Sequence, residues 1–411
     1  MMLALVMTVM TASAYNISVG TTEKGQMAFM VDGKAVTTAE AGVTVTVKIT
    51  PVDGYAAKTV TVKAVADWGG AKAPQRRAAI NILDNILVER VVLNEYTFEM
   101  PEANVVVDAE YTYSAPTEAE EDKEDGKEVD DVTVGMEIVE GTTPTVENGV
   151  TVVQVIITNI DVPKQTDATA SNKKEITVEI PAELTSANGK MKFVVTKITK
   201  DALKTSEESN TVVTKVVLPE TDEVIPIEAG AMSPNGEPIA VVVPLTMLDD
   251  YALTAELQPN FEAKKISAIV TPKNRLWTFS SGVDCELPKD VSAFIVYLDK
   301  MKPRFVAIPE SDLKLKDGQR GIKANNGVLL ACDRGQGGDA YEIVASPGNQ
   351  LSGTKPATTN AKSYKGNGLV PTIVATNYAG GSYLVLKGNE FHSIKVSDSK
   401  TPACKAVLPV K

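Results

Sequence analysis

Strict alternation of apolar and polar residues limits the possible fold of this sequence more than any other feature. In "YTFEMPEANVVVDAEY" (96–111), Tyr96, Phe98 and Met100 fall on one side of an extended chain, with polar residues between them. A period of two residues is that of a β-strand with one buried face. Pro101 interrupts the pattern, because proline cannot donate a hydrogen bond to a sheet ladder, and a run of three valines follows. We therefore predict two short strands joined by a Met-Pro corner.

The same alternation fills "AGVTVTVKITPVDGYAAKTVTVKA" (41–64), where an Asp53-Gly54 turn signal divides it. Apolar residues make up 43% of the 411 residues, which is ordinary for folded protein. A chain of this length can hold about two to four domains. Valine, isoleucine and threonine are abundant, and β-branched residues favour pleated sheets. We expect a mainly β, multi-domain chain.

Together these two stretches resemble a divergent form of the internalin-type B-repeat, a small β-rich module found in tandem on bacterial surface proteins. In that family "TP-x-DGY" opens a hairpin, and "YTFxMPxxNVxVxAxY" closes the sheet. The resemblance implies a β module at 15–114. The segment 68–94 is longer than the usual turn of the family. Its apolar residues fit a helical stripe and its Ile and Val content fits a strand, so 75–93 stays open between the two.

The segment "APTEAEEDKEDGKEVDD" (115–131) contains nine acidic residues and two lysines, which gives −7 of the net charge of −12. Such a segment buries too little apolar surface to fold, and its charges repel one another. We therefore predict a solvated acidic linker. A calcium loop is the alternative, but the EF-hand spacing of carboxylates around a glycine is missing.

The central region, 132–272, contains further strand-like runs and two related units at 193–219 and 224–244. These units resemble the BspA-like leucine-rich repeat, whose unit runs "VTxIxxxAF…LxxVxLP". Leu203 and Met232 stand where that family usually has Phe. Repeat folds generally need about three or more units to bury a core. We therefore expect vestigial, degenerate repeats packed on neighbouring β-structure.

The last region, 273–411, has turn signals at strand-length spacing, which predicts a β-sandwich or small barrel. Within it, "IKANNGVLLACDRGQGGDAYEIV" (322–344) predicts a hairpin with a Gly-rich tip. The tip lacks the GK[ST] ending of a phosphate loop. The region is similar to a C-terminal β module that recurs in secreted and surface proteins of gut and oral Bacteroidetes. "WTFSSGVD", "NNGVLL" and "TPACKAVLPV" stand where the recurring segments of that module stand.

The stretch 1–14, "MMLALVMTVMTASA", carries an apolar run too short to span a bilayer and ends in Ala-Ser-Ala. Signal peptidase accepts this small-x-small pattern, so we predict a signal peptide at 1–14 and export to the cell surface or the medium. A buried first strand is the alternative. The net charge of −12 argues against nucleic-acid binding and against docking on anionic lipid. We find no later apolar run long enough for a transmembrane span.

Few residues could carry catalysis or bind a metal. The only histidine, His392 in "NEFHSI", cannot form a multi-His metal site, and it fits a strand edge better than a catalytic triad. Cys285, Cys332 and Cys404 have no zinc-site spacing. Two of them could form a disulfide, or all could be buried free thiols. Among 53 acidic residues no pair stands out as the two acids of a glycosidase. We expect no enzyme and no cofactor.

Carbohydrate binding usually needs several exposed aromatic side chains, but aromatic residues make up only 5% of this chain. Trp277 and Phe279 alternate along one run, so we assign both to a core. Trp68, Tyr378 and Tyr383 remain as glycan-contact candidates, although Trp68 also fits a simple loop. We predict a non-enzymatic exported interaction protein with an adhesin-like role. A glycan-binding accessory protein and a secreted hydrolase are the alternatives.

Overall fold

The structure is a computed structural model, and almost all of its regular secondary structure is strand. The prediction of a mainly β protein with several sheets is therefore confirmed. The structure describes residues 14–20, 23–65, 82–117, 119–121, 132–162, 164–165, 168–169, 171–257, 263–315, 317–332, 339–346, 364–373, 375–378, 381–394, 400–401 and 403–410.

The first part of the chain forms two sheets around one core. Its strands are β1 (Ala14–Val19), β2 (Gly25–Val31), β3 (Lys34–Val36), β4 (Thr38–Glu40), β5 (Thr44–Pro51), β6 (Tyr55–Val65), β7 (Ile82–Ile86), β8 (Val88–Val92), β9 (Glu95–Glu99) and β10 (Asn104–Thr117). One sheet has the order β3-β2-β5-β9-β8, and in the other β10 pairs with β1 and β6. Val45, Val47, Phe98, Val105 and Val107 are buried in the shared core. The alternation predicted for these strands is thus confirmed.

The Met-Pro corner carries the chain from one sheet to the other. β9 ends at Glu99 in the first sheet, and β10 begins at Asn104 in the second. Met100 is buried in the core between them, while Pro101 lies outside both strands. The corner therefore lets two strands close together in sequence cover opposite sides of one core.

Residues 75–93, for which the sequence allowed either helix or strand, form strands where the structure describes them. β7 pairs with β6, and β8 pairs with β9. Leu87, between them, is 79% exposed, whereas a helical apolar stripe would have buried it. The β-branched residues of this segment fit a pleated sheet instead. Residues 75–81 and the glycan candidate Trp68 lie outside the described residues.

β10 extends into the segment predicted as the acidic linker and joins the next part of the chain. It pairs with β12 (Val132–Ile138), which places Tyr113 opposite Met136. Ala115 is apolar and buried, so the sheet continues through it. A short strand, β11 (Ala119–Glu121), pairs with β15 (Lys174–Glu179). The rest of the acidic run, 122–131, lies outside the described residues.

The chain then coils between two sheets. The remaining elements of this part are β13 (Thr145–Glu147), β14 (Val150–Asp161), β16 (Glu183–Thr185), β17 (Met191–Ile198), β18 (Thr211–Val217), β19 (Ala240–Val242), helix α1 (Leu248–Leu257), β20 (Lys265–Val270) and the 3₁₀ turns Glu207–Ser209 and Leu245–Met247. β14 and β17 are parallel in one sheet, and β15, β18, β19 and β20 are parallel in the other. The chain crosses between the two sheets, with β14, β16 and β17 in one and β15 and β18 in the other, so the apolar residues of both sheets meet in one core. Within the described residues, no helix is both long and apolar enough to cross a membrane.

Over the last turns of this coil, paired strands follow one another at a regular spacing in the sequence. β18, β19 and β20 follow one another in register at steps of 25 residues. In the other sheet, Ile198 pairs with Ile227 in a parallel bridge, a step of 29 residues. Leu203 and Met232 are separated by the same step, and both are fully buried. The two units noted in the sequence therefore occupy equivalent positions, while their kinship with leucine-rich repeats stays a prediction.

The last part of the chain adds two further layers. Its strands are β21 (Leu276–Phe279), β22 (Cys285–Glu286), β23 (Val291–Asp299), β24 (Lys302–Ala307), β25 (Gly321–Ile322), β26 (Val328–Cys332), β27 (Tyr341–Ala345), β28 (Val370–Thr372), β29 (Thr376–Asn377), β30 (Tyr383–Lys387), β31 (Glu390–Ser393), β32 (Lys400–Thr401) and β33 (Lys405–Pro409). β27, β22 and β25 extend the second sheet of the coil beyond β20. The sheet β21-β26-β23-β24 packs on that core with one face and on the sheet β28-β33-β30-β31 with the other.

The prediction of a hairpin at 322–344 is wrong. β26 pairs with β21 and β23, whereas β27 pairs with β20 and β22 in a different sheet. All five residues of β26 are buried, because the strand lies in the middle layer and packs on both faces. A continuous apolar run of this kind is typical of a strand covered on both sides. The predicted Gly-rich tip, 333–338, lies outside the described residues.

Candidate functional site

The structure brings two of the three predicted glycan-contact residues together. The ring centroids of Tyr378 and Tyr383 are 4.6 Å apart. Tyr378 is only 8% exposed, and its hydroxyl lies 3.1 Å from the hydroxyl of Thr372. Burial raises the pKa of Tyr378 above its ordinary value. The covered ring of Tyr378 is poorly placed to stack on a sugar, whereas Tyr383 is only half-buried, and its role as a glycan contact stays a prediction.

All three cysteines are buried, and none of them forms a disulfide. Burial, reinforced by the nearby charge of Asp249, raises the pKa of Cys285 well above its ordinary value. Its thiol is therefore protonated at neutral pH and is a poor nucleophile. The question of pairing is thus answered in favour of free thiols that fill the core.

His392 lies on β31, the last strand of its sheet, which confirms the strand-edge position predicted from the sequence. Its side chain is 51% exposed, and Nε2 is 3.9 Å from a carboxylate oxygen of Glu390. This contact orients the ring toward an exposed acid. The side chain therefore lies on the surface, away from the buried thiol and hydroxyl groups that a triad would use.

A buried group of polar side chains, the Asp249 cluster, joins α1 to the C-terminal layers. It consists of Asp249, Ser281, Gly282 and Cys285. The Gly282 N–H donates to Oδ2 of Asp249 at 2.6 Å, and the Ser281 hydroxyl donates to Oδ1. The Cys285 thiol in turn donates to the Ser281 hydroxyl at 3.3 Å. Asp249 is 1% exposed, so no substrate can reach this cluster, and its role is structural.

An open cavity of about 760 Å³ lies beside β22 and β27 and carries mostly acidic groups. Burial, followed by the charge of Asp317, raises the pKa of Glu286. Burial would also raise the pKa of Glu342, but its hydrogen bonds with Lys265 and Ser267, at 2.8 and 2.7 Å, lower it overall. Within the described residues, no three His, Cys, Asp or Glu side chains are arranged to hold a metal ion. The carboxylates in the cavity wall are Glu286, Asp290, Asp339 and Glu342.

A second cavity, which we call the Trp277 pocket, has a volume of about 350 Å³. It lies where the turn after β20 meets β21, β30 and β33, and none of the described residues that line it is acidic. Trp277 and Phe279 are buried, as predicted. The indole Nε1 of Trp277 has no acceptor within the described residues. A buried donor without an acceptor costs about 1–3 kcal/mol. The lining residues are Val270, Thr271, Pro272, Lys273, Asn274, Leu276, Trp277, Thr278, Leu386, Gly388 and Lys405.

Lys405 is the inner of the two cations in this pocket. Burial lowers the pKa of its ammonium group, while the neighbouring Cys404 opposes the shift weakly. No carboxylate of the described residues forms an ion pair with it. Burial disfavours the charged ammonium group only in the folded state. At pH values below the folded-state pKa the lysine is charged in both states, and the free energy of unfolding is lowered. The pocket thus holds a positive charge at a cost in stability.

The hairpin made by β23 and β24, the 297–306 hairpin, exposes an unusual amount of apolar surface. Ten large apolar residues of the described chain are exposed, and four of them lie here. They are Tyr297 (38%), Met301 (62%), Phe305 (46%) and Val306 (46%). The ring of Phe305 also stacks on Phe391 of β31, with centroids 6.3 Å apart. Phe305 and Val306 follow one another in β24 and so point to opposite faces, with Tyr297 on the face of Val306, and the exposed patch therefore covers both faces of the hairpin.

Sequence reasoning did not identify this hairpin or the two cavities as sites. "FIVYLDKMKPRFVA" does show two alternating runs around Lys300 and Met301, which would have indicated a hairpin. No signal in the sequence connects Trp277 with Lys405. No protein-family model matches the chain, and no curated protein or solved structure shows significant similarity to it.

Proposed function

We propose that this chain is an exported, non-enzymatic interaction protein with an adhesin-like role, and that it binds a protein ligand through the 297–306 hairpin. The observation that carries this proposal is that four of the ten exposed large apolar residues in the described part of the chain lie in this hairpin. Isolated exposed apolar residues are normal, whereas a concentration of them in one hairpin is typical of an interaction surface. The N-terminal signal pattern and the resemblances to bacterial surface modules support export and the adhesin-like role.

The chemistry of the patch suits a protein partner better than a sugar. Tyrosine, phenylalanine, methionine and arginine are enriched in protein interfaces, and the hairpin presents all four. Arg304 lies opposite Tyr297 in the ladder, and its Nε is 3.5 Å from Oδ2 of Asp299. Exposed aromatic rings backed by an arginine are typical of the residues that dominate binding energy.

The partner would bind through side chains and not by adding a strand. β24 ends its sheet, and no strand of the described residues pairs with its outer edge. However, Pro303 lacks an N–H, and Lys302 and Arg304 place charges along this short strand. Proteins use both devices to block pairing between strand edges. The apolar side chains, not the backbone, are therefore the means of contact.

We expect the double variant Phe305→Ser/Val306→Ser to bind its protein ligand at least tenfold more weakly, because it truncates one aromatic and one aliphatic side chain of the hairpin, and a few such residues carry most of the binding energy of an interface. The purified chain is first screened against host matrix proteins, mucin and plant glycans. Affinity for each hit is then measured for the wild type and the variant.

The matched control is Val52→Ser/Val146→Ser, which removes exposed apolar side chains elsewhere on the chain. It should bind like the wild type. Equal affinity for the hairpin variant and the control would contradict the proposal. Binding to glycans alone, lost in Trp68→Ala, would favour the glycan-binding accessory protein instead.

A secreted hydrolase is a second candidate, and one observation favours it. In the acidic cavity the pKa of Glu286 is raised while that of Glu342 is lowered, and such a division is typical of an acid and its partner carboxylate. However, the oxygens of Glu342 already accept hydrogen bonds from Lys265 and Ser267. A carboxylate held in this way is poorly placed to attack a substrate, so we rank this candidate second.

A further inference from the structure

We propose that the Trp277 pocket binds a small organic carboxylate with an apolar body. The inference does not depend on the proposed function of the 297–306 hairpin. It follows from the charge of the pocket, from the kind of polar groups in its wall and from its size.

The pocket is positively charged, whereas the chain as a whole is negatively charged. The protein has a net charge of −12, yet the eleven described residues that line this pocket include Lys273 and Lys405 and no acid. The acidic cavity beside β22 shows the opposite character, with four carboxylates in its wall. An anion is therefore favoured in the Trp277 pocket and disfavoured in the other cavity.

The strongest polar groups of the pocket can only donate hydrogen bonds. An indole N–H and a lysine ammonium group have no acceptor atom. Nε1 of Trp277 lacks an acceptor, and Lys405 lacks a carboxylate partner, within the described residues. A ligand that reaches these two donors satisfies them with acceptor oxygens, and a carboxylate supplies two with a negative charge. Nε1 is itself covered, so a lining side chain must move before a ligand can reach it.

The apolar part of the pocket wall determines what kind of ligand body fits. Val270, Pro272, Leu276 and Leu386 are apolar, and the indole of Trp277 adds an aromatic surface. The volume of about 350 Å³ is near the lower end of small-molecule pockets, which span about 300–1,000 Å³. This space suits one small molecule with an apolar body. An inorganic anion would leave the apolar walls unfilled, and a sugar acid would place hydroxyl groups against them.

The chain offers a direct reporter, because it has only two tryptophans, Trp68 and Trp277. In the ¹⁵N-labelled full chain the two indole N–H signals can be assigned with Trp277→Phe. We expect phenylacetate and hexanoate to shift the Trp277 signal in a saturable manner while the Trp68 signal stays in place. Glucuronate and sulfate should bind at least tenfold more weakly than phenylacetate.

Lys405→Met removes the charge and keeps the aliphatic stem. We expect this variant to bind phenylacetate at least tenfold more weakly and, because a disfavoured buried charge is gone, to unfold at a higher temperature at pH 7. Lys289→Met, beside the acidic cavity, is the matched control and should bind like the wild type. The proposal is overturned if the Trp277 signal does not respond to either carboxylate. Equal binding by Lys405→Met and the wild type, or stronger binding of sulfate or glucuronate, would also overturn it.

Discussion

Replacing Gly321 by alanine is expected to lower the free energy of unfolding by about 3 kcal/mol or more. A Cβ at this position would lie 2.1 Å from the carbonyl oxygen of Cys285 and 2.6 Å from Cδ1 of Leu315. The carbonyl belongs to the paired strand β22, so it cannot turn away as a surface side chain could. Overpacking of a tight interior typically costs about 1–3 kcal/mol, and a clash with backbone is at the upper end or beyond. Denaturant unfolding followed by tryptophan fluorescence measures the change.

Gly20→Ala is the control for this prediction. There an added Cβ would also lie too close to another atom, at 1.9 Å, but that atom is the carboxylate oxygen of Asp108, at the end of a side chain that can rotate. We expect only a small loss of stability from this variant, because surface substitutions usually stay within about 0.5 kcal/mol. If Gly321→Ala is no less stable than Gly20→Ala, the close packing of β22 on β25 is refuted.

Asp249→Ala is expected to lower the free energy of unfolding by about 2–5 kcal/mol. The carboxylate accepts hydrogen bonds from the Ser281 hydroxyl and the Gly282 N–H, and both donors are buried. Each buried donor left without a partner costs about 1–3 kcal/mol. The loss should appear as a lower midpoint of denaturant unfolding and as faster hydrogen exchange at Gly282.

The neighbouring Asp250 provides the comparison, because it lies in the same first turn of α1 but is only half-buried. We expect Asp250→Ala to cost clearly less than Asp249→Ala. Similar losses for the two variants would show that the effect comes from the acidic start of the helix, and the Asp249 cluster would then lose its assigned role.

Local pattern predicted the strands well where one face of a strand is buried. Tyr96, Phe98 and Met100 alternate with polar residues, and all three are buried, because a two-residue period fixes which face meets the core. Pro101 marked the corner because it cannot join a ladder. The sequence of β26 shows no such alternation of apolar and polar residues. It is buried on both faces, so its apolar run contained no information about which strands it would pair with.

The candidate sites depend on contacts between residues far apart in the chain, which a single sequence does not show. Asp249 and Ser281 are 32 residues apart, and Trp277 and Lys405 come from β21 and β33. The aromatic residues Tyr378 and Tyr383 were plausible glycan contacts by type alone. The burial of Tyr378 and the partial burial of Tyr383 depend on the packing of β30 and β33, which only the fold reveals.

The most direct test of the central claim is to measure binding and turnover together. The wild-type chain and Glu286→Gln are incubated with the ligands found in the screen and with a panel of glycans and peptides, while mass spectrometry follows any product. We expect saturable binding of a protein ligand, recovered unchanged, and no product from either chain. Product formed over many cycles by the wild type and lost in Glu286→Gln would contradict it and establish a hydrolase.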